Sequence, residues 1–340
     1  MIQSDLEKAR KLVEMARAAD QRGQGEKSLA FFDDALALLE RQMDTPLLAD
    51  VLRWKGTVYR ELGETEAAHR CYEKSLAYAE RVGAVGARAH GYNCMAIVAQ
   101  RRGDLRNCEA HYARAAEFAS KAGDVRLLGM IEQNRGVLMN MKGNFAAAEA
   151  RYSTSLTAFE AASDEEAVSW VLNNMGMLYS KLGHYQRSAE TLERGLEIAR
   201  RRQDALVESI LTLNLAEVWA AVGKLDLADE LCAKSLESAR GRNDHLTIAG
   251  ALKCRARIER ERGAFNESIA TLRIAIFEAE GLEDRLLQAE MLREFGQTSQ
   301  ALGQFPEARL AWKEAAESFQ GVGALHEAAQ INTLLASLPG

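Results

Sequence analysis

VLNNMGMLYSKLG, residues 171–183, is the stretch from which the fold of this chain can be worked out. It places Gly176 seven positions before a second glycine, Gly183. The second glycine returns every 40 residues, at Gly23, Gly63, Gly103, Gly143, Gly183, Gly223, Gly263 and Gly303. Seven positions before each one stands a glycine or an alanine: Ala16, Gly56, Ala96, Gly136, Gly176, Ala216, Ala256 and Gly296. Strict register over eight copies indicates stacked supersecondary units.

Each unit has the pattern of two helices joined at its glycine. In the second unit, apolar residues recur at helical spacing on both sides of Gly63, over residues 50–62 and 65–81. Gly63 supplies the positive φ that commonly ends a helix. Aspartate recurs 21 positions after the glycine, at Asp44, Asp124, Asp164, Asp204, Asp244 and Asp284. We expect each aspartate to cap the next helix by accepting bonds from its free N–H groups.

Two further positions predict how the helices pack. Five positions after the glycine the residues are small: Ser28, Ala68, Cys108, Ala148, Ser188, Ala228, Ser268 and Ala308. Nine positions after it most are larger: Phe32, Tyr72, Tyr112, Tyr152, Leu192, Cys232, Leu272 and Trp312. We expect the small residues to let the two helices of a hairpin approach, and the larger ones to fill the gap to the next unit. Such packing rotates each unit on the last and gives a curved superhelix.

Composition bounds the class of protein. Only 3 prolines among 340 residues, with 47% hydrophobic residues, favour an almost entirely helical chain. A net charge of -6 argues against a nucleic-acid partner. An odd number of cysteines, 5, argues against a secreted disulfide framework. Without a signal-peptide pattern or a long apolar run, the expectation is a soluble cytoplasmic protein, or a soluble piece of a larger one, with no membrane insertion.

These residues resemble the tetratricopeptide repeat family, whose pattern is W-x2-L-G-x2-Y, then A-x3-F, then P. The fifth unit matches with Leu172, Met175, Gly176 and Tyr179, and the second with Leu52, Gly56, Tyr59, Ala68 and Tyr72. The period is 40 rather than 34, and Glu40, Glu80, Glu160 and Glu280 stand where the family has proline. The longer period resembles the subgroup of Leu-Gly-Asn repeat scaffolds, kinesin light chains and bacterial peptide-sensing regulators.

The resemblance implies an all-α, right-handed superhelical solenoid of eight helix–turn–helix repeats in a single domain. The repeats would span residues 4–43, 44–83, 84–123, 124–163, 164–203, 204–243, 244–283 and 284–323, followed by a capping helix over 325–338. It also implies an interaction module without catalytic activity, cofactor or metal. No phosphate-binding loop or catalytic motif is present in the sequence. His90, Cys94, Cys108 and His111 have ligand chemistry, but we expect them not to converge on a metal.

By the same resemblance, the first helix of each unit lines a concave groove for a protein or peptide partner. Nine positions before the glycine, asparagine recurs at Asn134, Asn174 and Asn214, with Asn173 beside them. An amide both donates and accepts, so a row of amides can hold a peptide backbone. The apolar residues predicted on the same groove are Met130, Trp170, Ile210, Val137 and Met177. The alternative is that the long helices bury these residues between neighbouring units.

The flanking units place cations on the predicted groove. They are Arg53 and Arg60 in the second unit and Lys253, Arg257 and Arg260 in the seventh. The hypothesis is that the seventh-unit cluster receives acidic side chains or a terminal carboxylate. The alternative is a solvated face with internal pairs among Glu259, Glu261 and Arg262. The favoured function is a scaffold or adaptor that binds a peptide or helix. Two alternatives are a regulatory peptide sensor that changes superhelix pitch and a self-assembling homo-oligomer.

Overall fold

A computed structural model describes residues 2–20, 22–40, 46–282 and 284–339. Within those ranges it contains seventeen helices and no strand, which confirms an all-α repeat solenoid. The helices are α1 (Ile2–Asp20), α2 (Gly25–Leu39), α3 (Pro46–Glu61), α4 (Thr65–Arg81), α5 (Val85–Arg101), α6 (Leu105–Ala122), α7 (Val125–Met141), α8 (Phe145–Ala161), α9 (Glu165–Lys181), α10 (Tyr185–Arg201), α11 (Ala205–Ala221), α12 (Leu225–Gly241), α13 (His245–Glu261), α14 (Phe265–Glu278), α15 (Arg285–Ala301), α16 (Phe305–Gly321) and α17 (Leu325–Ser337).

The chain divides into two compact units, residues 1–132 and 133–340, with the boundary inside α7. In both units, the helices of a hairpin are neighbours, as with α3 and α4 or α9 and α10. The first helices of successive repeats also contact each other, as α3 does α5 and α11 does α13. Each unit is therefore a stack of hairpins with the first helices side by side. A single continuous solenoid over the predicted repeat boundaries remains a prediction.

Both kinds of turn, within a repeat and between repeats, use a residue with positive φ. The turn glycines predicted from the sequence adopt it, for example Gly183 at 76°. Between repeats the residues with positive φ are Gly83, Gly123, Ser163, Gln203, Asn243, Gly281 and Gly323. A search for glycine finds only part of this second set. The chain is thus close to a period of 20 residues, typically a helix of 17 residues and a short turn.

The predicted aspartate caps are confirmed where the structure describes them. Asp124 accepts a hydrogen bond at 2.9 Å from the backbone N–H of Leu127, which lies three residues later in the first turn of α7. The same bond recurs at the caps of the following first helices, which are Asp164, Asp204, Asp244 and Asp284. Asp44 lies outside the described residues. Each of these caps satisfies one free N–H group and places a negative charge at the positive end of the helix dipole.

The close approach of the two helices in a hairpin is also confirmed. Ser188 donates a hydrogen bond to the carbonyl of Gly176 at 2.7 Å, across the interface of α9 and α10. A Cβ placed on Gly176 would lie 2.5 Å from Cγ of Leu192, so an alanine does not fit without a shift of the leucine. The larger residue thus fills the space above the glycine of its own hairpin. It also reaches the next repeat, as Tyr72 does when it packs with Met95 and Val98.

Candidate interaction surface

The first helices α9, α11, α13 and α15 of the second unit present a common surface, here called the inner wall. It consists of the side chains 13, 10, 9, 6 and 3 positions before each turn glycine. Ion pairs between successive helices show that these positions face one another. Nζ of Lys253 on α13 lies 3.1 Å from a carboxylate oxygen of Glu217 on α11. Lys253 also binds Glu290 on α15. The inner wall is therefore a continuous surface across at least three repeats.

The C-terminal helix α17 borders this surface. Lys181, at the end of α9, forms an ion pair with Glu327 of α17. Beside it, the ring of His326 meets the ring of Phe145 edge to face, with centroids 5.0 Å apart. Lys181 and Glu327 are 146 positions apart in sequence. Within the second unit, α17 therefore contacts the start of α8 and the end of α9, the latter being one end of an inner-wall helix.

The half of the inner wall on α13 and α15 is charged and internally paired. Lys253, only 9% exposed, lies between the carboxylates of Glu217 and Glu290. Arg260 contacts a carboxylate oxygen of Glu294 at 3.1 Å, and Arg293 contacts its other oxygen at 3.7 Å. Two of the three seventh-unit cations predicted to meet a ligand are thus already neutralised. The pairing is internal, but it is not the solvated set of Glu259, Glu261 and Arg262 given as the alternative. The acids that hold Lys253 come from α11 and α15, and Arg262 pairs with Asp226 and Asp229 on α12.

The pKa values of this network favour its charged state. Burial by itself would lower the pKa of Lys253, but the nearby Glu217 and Glu290 carboxylates raise it above its ordinary value. Burial would raise the pKa of Glu290, but Lys253 and Arg293 hold it below its usual range. Both shifts have the same cause, because an opposite charge within hydrogen-bond reach stabilises the ionised form. The pair of Lys253 and Glu290 is therefore ionised at neutral pH.

Arg257 is the exception in this half. It is half-buried on α13, six positions before the turn glycine. Its Nε is buried without a hydrogen-bond partner, as is that of Arg260, so the feature that sets Arg257 apart is the lack of a paired carboxylate. No carboxylate pairs with its guanidinium in the described ranges. A buried donor without a partner costs free energy, so a native structure that keeps one calls for an explanation.

The half on α9 and α11 is formed mainly by amides and apolar groups, apart from Glu217 on α11, which pairs with Lys253. Nδ2 of Asn214 donates to Oδ1 of Asn173 at 2.6 Å, so two of the predicted amides bind each other across the repeats. Asn173 is only 8% exposed. Asn174 is half-buried, and no hydrogen bond to its side chain exists within the part of the chain that the structure describes. Around it, Trp170, Ile210 and Met177 are half-buried, so this row is neither fully sealed between units nor fully open.

Trp170 is not free of the core. It packs against the buried cluster of α10 and α11, which includes Leu192, Leu196 and Leu211. The indole thus takes part in the packing between repeats, although Trp170 as a whole is only half-buried. Met130, Asn134 and Val137 lie on α7 and are half-buried as well.

In the first unit, the predicted cations occupy α3. Arg53 forms an ion pair with Asp50 at 3.0 Å and lies over the ring of Trp54, 5.3 Å from its centroid. Arg60 contacts Glu61 at 3.4 Å. On the neighbouring α5, burial and the charge of Arg53 lower the pKa of His90 to about 4, so its ring is neutral at pH 7. Both predicted arginines are thus paired on their own helix.

The described residues hold no cluster of three or more histidine, cysteine, aspartate or glutamate side chains that could bind a metal ion. His90 and Cys94 lie on α5, and Cys108 and His111 on α6. Cys108 is completely buried at the small position of its hairpin. No helix in the described part of the chain has both the length and the apolar character to cross a membrane.

Sequence reasoning missed Glu217, Glu290, Arg293 and Glu294. The signal was available, because these residues occupy the same register positions, 6, 13, 10 and 9 before Gly223 or Gly303. Applying the register to the sixth and eighth units would have placed acids beside Lys253. The pair of Lys181 and Glu327 carries no such signal, because it joins residues 146 positions apart.

Comparison with known proteins agrees with this architecture. The tetratricopeptide repeat model matches residues 7–81 and 128–201. No curated protein sequence matches the chain. Among solved structures, a Rap protein complexed with competence and sporulation factor is 13% identical, with TM-score 0.65, over 99% of this chain and 97% of that one.

Two other solved structures are similar in the same way. NprR in complex with its cognate peptide NprX is 12% identical, with TM-score 0.63, over 83% of this chain and 82% of that one. BtubC (BKLC) from P. vanneervenii is 19% identical, with TM-score 0.53, over 72% and 92%. At these identities the likeness concerns the fold. The family model thus identifies tetratricopeptide repeats over residues 7–81 and 128–201, and the other described helical hairpins have the same architecture.

Proposed function

We propose that this protein is an interaction module that binds an extended, acidic peptide segment on the inner wall of its second unit. The observation that carries the proposal is a pair of polar side chains without partners among the described residues, Asn174 and Arg257. They lie on a wall where neighbouring charges are paired. A cation without a carboxylate, beside cations that have one, is a group that an acidic ligand could pair with.

The chemistry of the two side chains defines the ligand. The amide of Asn174 can accept from a peptide N–H and donate to a peptide carbonyl. The guanidinium of Arg257 can bind a carboxylate with two parallel hydrogen bonds. Between them, Ile210 and Met177 offer half-buried apolar contacts. We therefore expect a peptide with an apolar residue near an aspartate, a glutamate or a C-terminal carboxylate.

The length of the ligand follows from helix spacing. Asn174 is on α9 and Arg257 on α13, with α11 between them. Packed helices have axes about 8–10 Å apart, so the two side chains are separated by roughly 20 Å. An extended chain covers that distance with about six residues. Support for a peptide ligand also comes from NprR, which is described in complex with its cognate peptide.

Selection from a peptide library tests the proposal and defines the ligand chemistry directly. A phage-displayed library of random linear peptides would be panned on the full-length protein, and enriched peptides would be titrated by calorimetry. We expect enriched sequences with an acidic residue, and at least about tenfold weaker binding for Asn174→Ala and for Arg257→Gln, because each removes a charge-assisted or backbone contact.

Arg285→Gln is the matched control, since Arg285 is exposed at the start of α15. It should bind as the unmodified protein does. Enriched peptides that bind both inner-wall variants with unchanged affinity would contradict the proposal.

A second candidate function, a peptide sensor that changes shape, is favoured by the border of α17 with α8 and α9. The described contacts there are few, chiefly the ion pair of Lys181 with Glu327 and the contact of His326 with Phe145. A ligand on the inner wall that shifts α9 would act on this border. Small-angle scattering with and without a selected peptide separates the two functions. A sensor changes its radius of gyration on binding, and a rigid scaffold does not.

A further inference from the structure

The outer face of α14 exposes large apolar side chains. Phe277 is 69% exposed and Ile274 is 53% exposed, and the two lie three residues apart on one face of the helix. Ala270, one turn earlier on this face, is exposed as well. On the outer helix of the next repeat, α16, Leu310 is 62% exposed. Single exposed apolar residues are ordinary, but a row of them along one helix marks an interaction site.

Comparison with the other repeats shows that this row is specific to α14. Ile274 and Phe277 stand 11 and 14 positions after their turn glycine. At these positions the other repeats carry polar residues or alanine: Asp34 and Ala37, Lys74 and Ala77, Arg114 and Glu117, Thr154 and Thr157, Arg194 and Glu197, Lys234 and Glu237, and Glu314 and Glu317. Repeat packing alone therefore does not call for large apolar residues at these sites.

Charges flank the apolar pair with opposite signs. Arg273 immediately precedes Ile274, and Glu280 follows Phe277 by three residues. Both are exposed, and neither forms an ion pair within the described ranges. The chain thus runs from a cation on α14, through Ile274 and Phe277, to an acid in the turn directly after the helix. This order is complementary to itself when the helix is turned end for end.

We propose that α14 is a homodimerisation surface, on which α14 of a second copy packs antiparallel about a two-fold axis. In this arrangement Phe277 of one copy lies on Ile274 of the other. Arg273 of each copy faces Glu280 of the other, so both charges gain a partner. A two-fold interface uses the same patch on both subunits, which is the complementarity that α14 has. The surface is separate from the inner wall.

The expected affinity is weak. One helix pair, even extended by Leu310, buries less than the roughly 1,200–2,000 Å² of a standard stable interface. We therefore expect a reversible dimer with a dissociation constant on the order of 10–100 µM. The sedimentation coefficient of the full-length chain should accordingly rise with concentration over about 1–200 µM.

Sedimentation velocity on three variants tests the pairing. Phe277→Asp should weaken dimerisation at least about tenfold, because it places a charge in the apolar centre. Arg273→Glu and Glu280→Arg should each weaken it through like-charge contacts. An equimolar mixture of these two charge variants should regain the affinity of the unmodified chain, because each then presents the opposite charge to the other. Leu227→Asp, at an exposed leucine on the outer helix α12, is the control and should dimerise normally.

Circular dichroism melting confirms that each variant is folded, and Phe277→Ala provides a milder substitution if Phe277→Asp is unstable. The proposal is overturned if the unmodified chain stays monomeric up to about 200 µM. It is equally overturned if Phe277→Asp and Phe277→Ala dimerise normally, or if the mixture of charge variants associates no better than either alone. Capture of a different protein by α14, with no self-association, would count against it in the same way.

Discussion

The two halves of the inner wall use the same register positions for different purposes. On α13 and α15, Lys253 and Arg260 are held by acids from neighbouring repeats. On α9 the same positions carry mostly amides and apolar groups, as they do on α11 apart from Glu217, and Asn174 has no side-chain hydrogen bond in the described part of the chain. The difference shows that a charged side chain on the surface of a repeat stabilises the fold where a neighbouring repeat supplies an oppositely charged partner. Our proposal places binding at the two inner-wall side chains that lack such partners, Arg257 and Asn174.

The largest expected effect is on the charged half. Lys253→Met leaves the carboxylates of Glu217 and Glu290 facing each other without their cation, and we expect it to lower the free energy of unfolding by about 3 kcal/mol. Urea denaturation followed by circular dichroism measures this. Arg262→Met is the control, because Arg262 pairs with Asp226 and Asp229 at the exposed surface. If both variants unfold at the same urea concentration, the buried network does not stabilise the second unit.

The pH dependence of stability should follow from the same network. The pKa of Glu290 is depressed in the folded state, so its contribution is present above its ordinary unfolded pKa of about 4.5 and is lost as pH falls further. We expect unfolding midpoints in urea to be steady from about pH 7 to 5 and to fall below about 4.5.

In Glu290→Gln, the fall of the unfolding midpoint below about pH 4.5 should be shallower, because the glutamine cannot gain a proton. Glu307→Gln, at an exposed glutamate on α16, should leave this pH dependence unchanged. If the unfolding midpoint falls equally steeply with pH in the unmodified chain and in Glu290→Gln, then Glu290 is not the cause of the loss of stability in acid.

Much of the fold follows from the sequence because its signals are local. A glycine with positive φ and an aspartate cap three residues from its partner N–H each depend on neighbours in the chain. The connections at Ser163, Gln203 and Asn243 were marked by the aspartates that follow them, but their positive φ was not predicted because residues other than glycine adopt it there. The repeat context imposes that conformation on them, and no residue type marks it.

The candidate site was less predictable, because it depends on contacts between repeats. The register places Lys253, Arg257 and Asn214 on the first helices of their repeats, but it could not say which side chains bind each other. Asn214 is bonded to Asn173, and Lys253 is enclosed by two acids. The contact of α17 with α9 is further from prediction still, since it depends on the curvature accumulated over several repeats.

A smaller effect is expected in the amide half. Asn214→Ala removes the donor to Asn173 and leaves a nearly buried oxygen without its partner, so the free energy of unfolding should fall by about 1 kcal/mol. Asn174→Ala breaks no hydrogen bond among the described residues and should change it by less than about 0.5 kcal/mol. Thermal and urea unfolding of both variants provide the comparison. An equal loss in the two would mean that Asn174 also has a structural bond.

The smallest effect on stability is expected for Arg257→Gln. The guanidinium has no carboxylate partner in the described ranges, so its neutralisation should alter the free energy of unfolding by less than about 0.5 kcal/mol. Arg260→Gln leaves the buried carboxylate of Glu294 without this ion pair, so it should be clearly more destabilising. If Arg257→Gln is the more destabilising of the two, then Arg257 stabilises the fold and is not a group available to a ligand.

The most direct test of the central claim is calorimetric titration of one library-selected acidic peptide into three proteins: the unmodified chain, the double variant Asn174→Ala/Arg257→Gln, and Arg285→Gln. We expect saturable binding to the unmodified chain and to Arg285→Gln with equal affinity. For the double variant we expect at least about a hundredfold loss of affinity with an unchanged melting temperature. Binding of equal strength to all three folded proteins would contradict the assignment of the inner wall as the ligand surface.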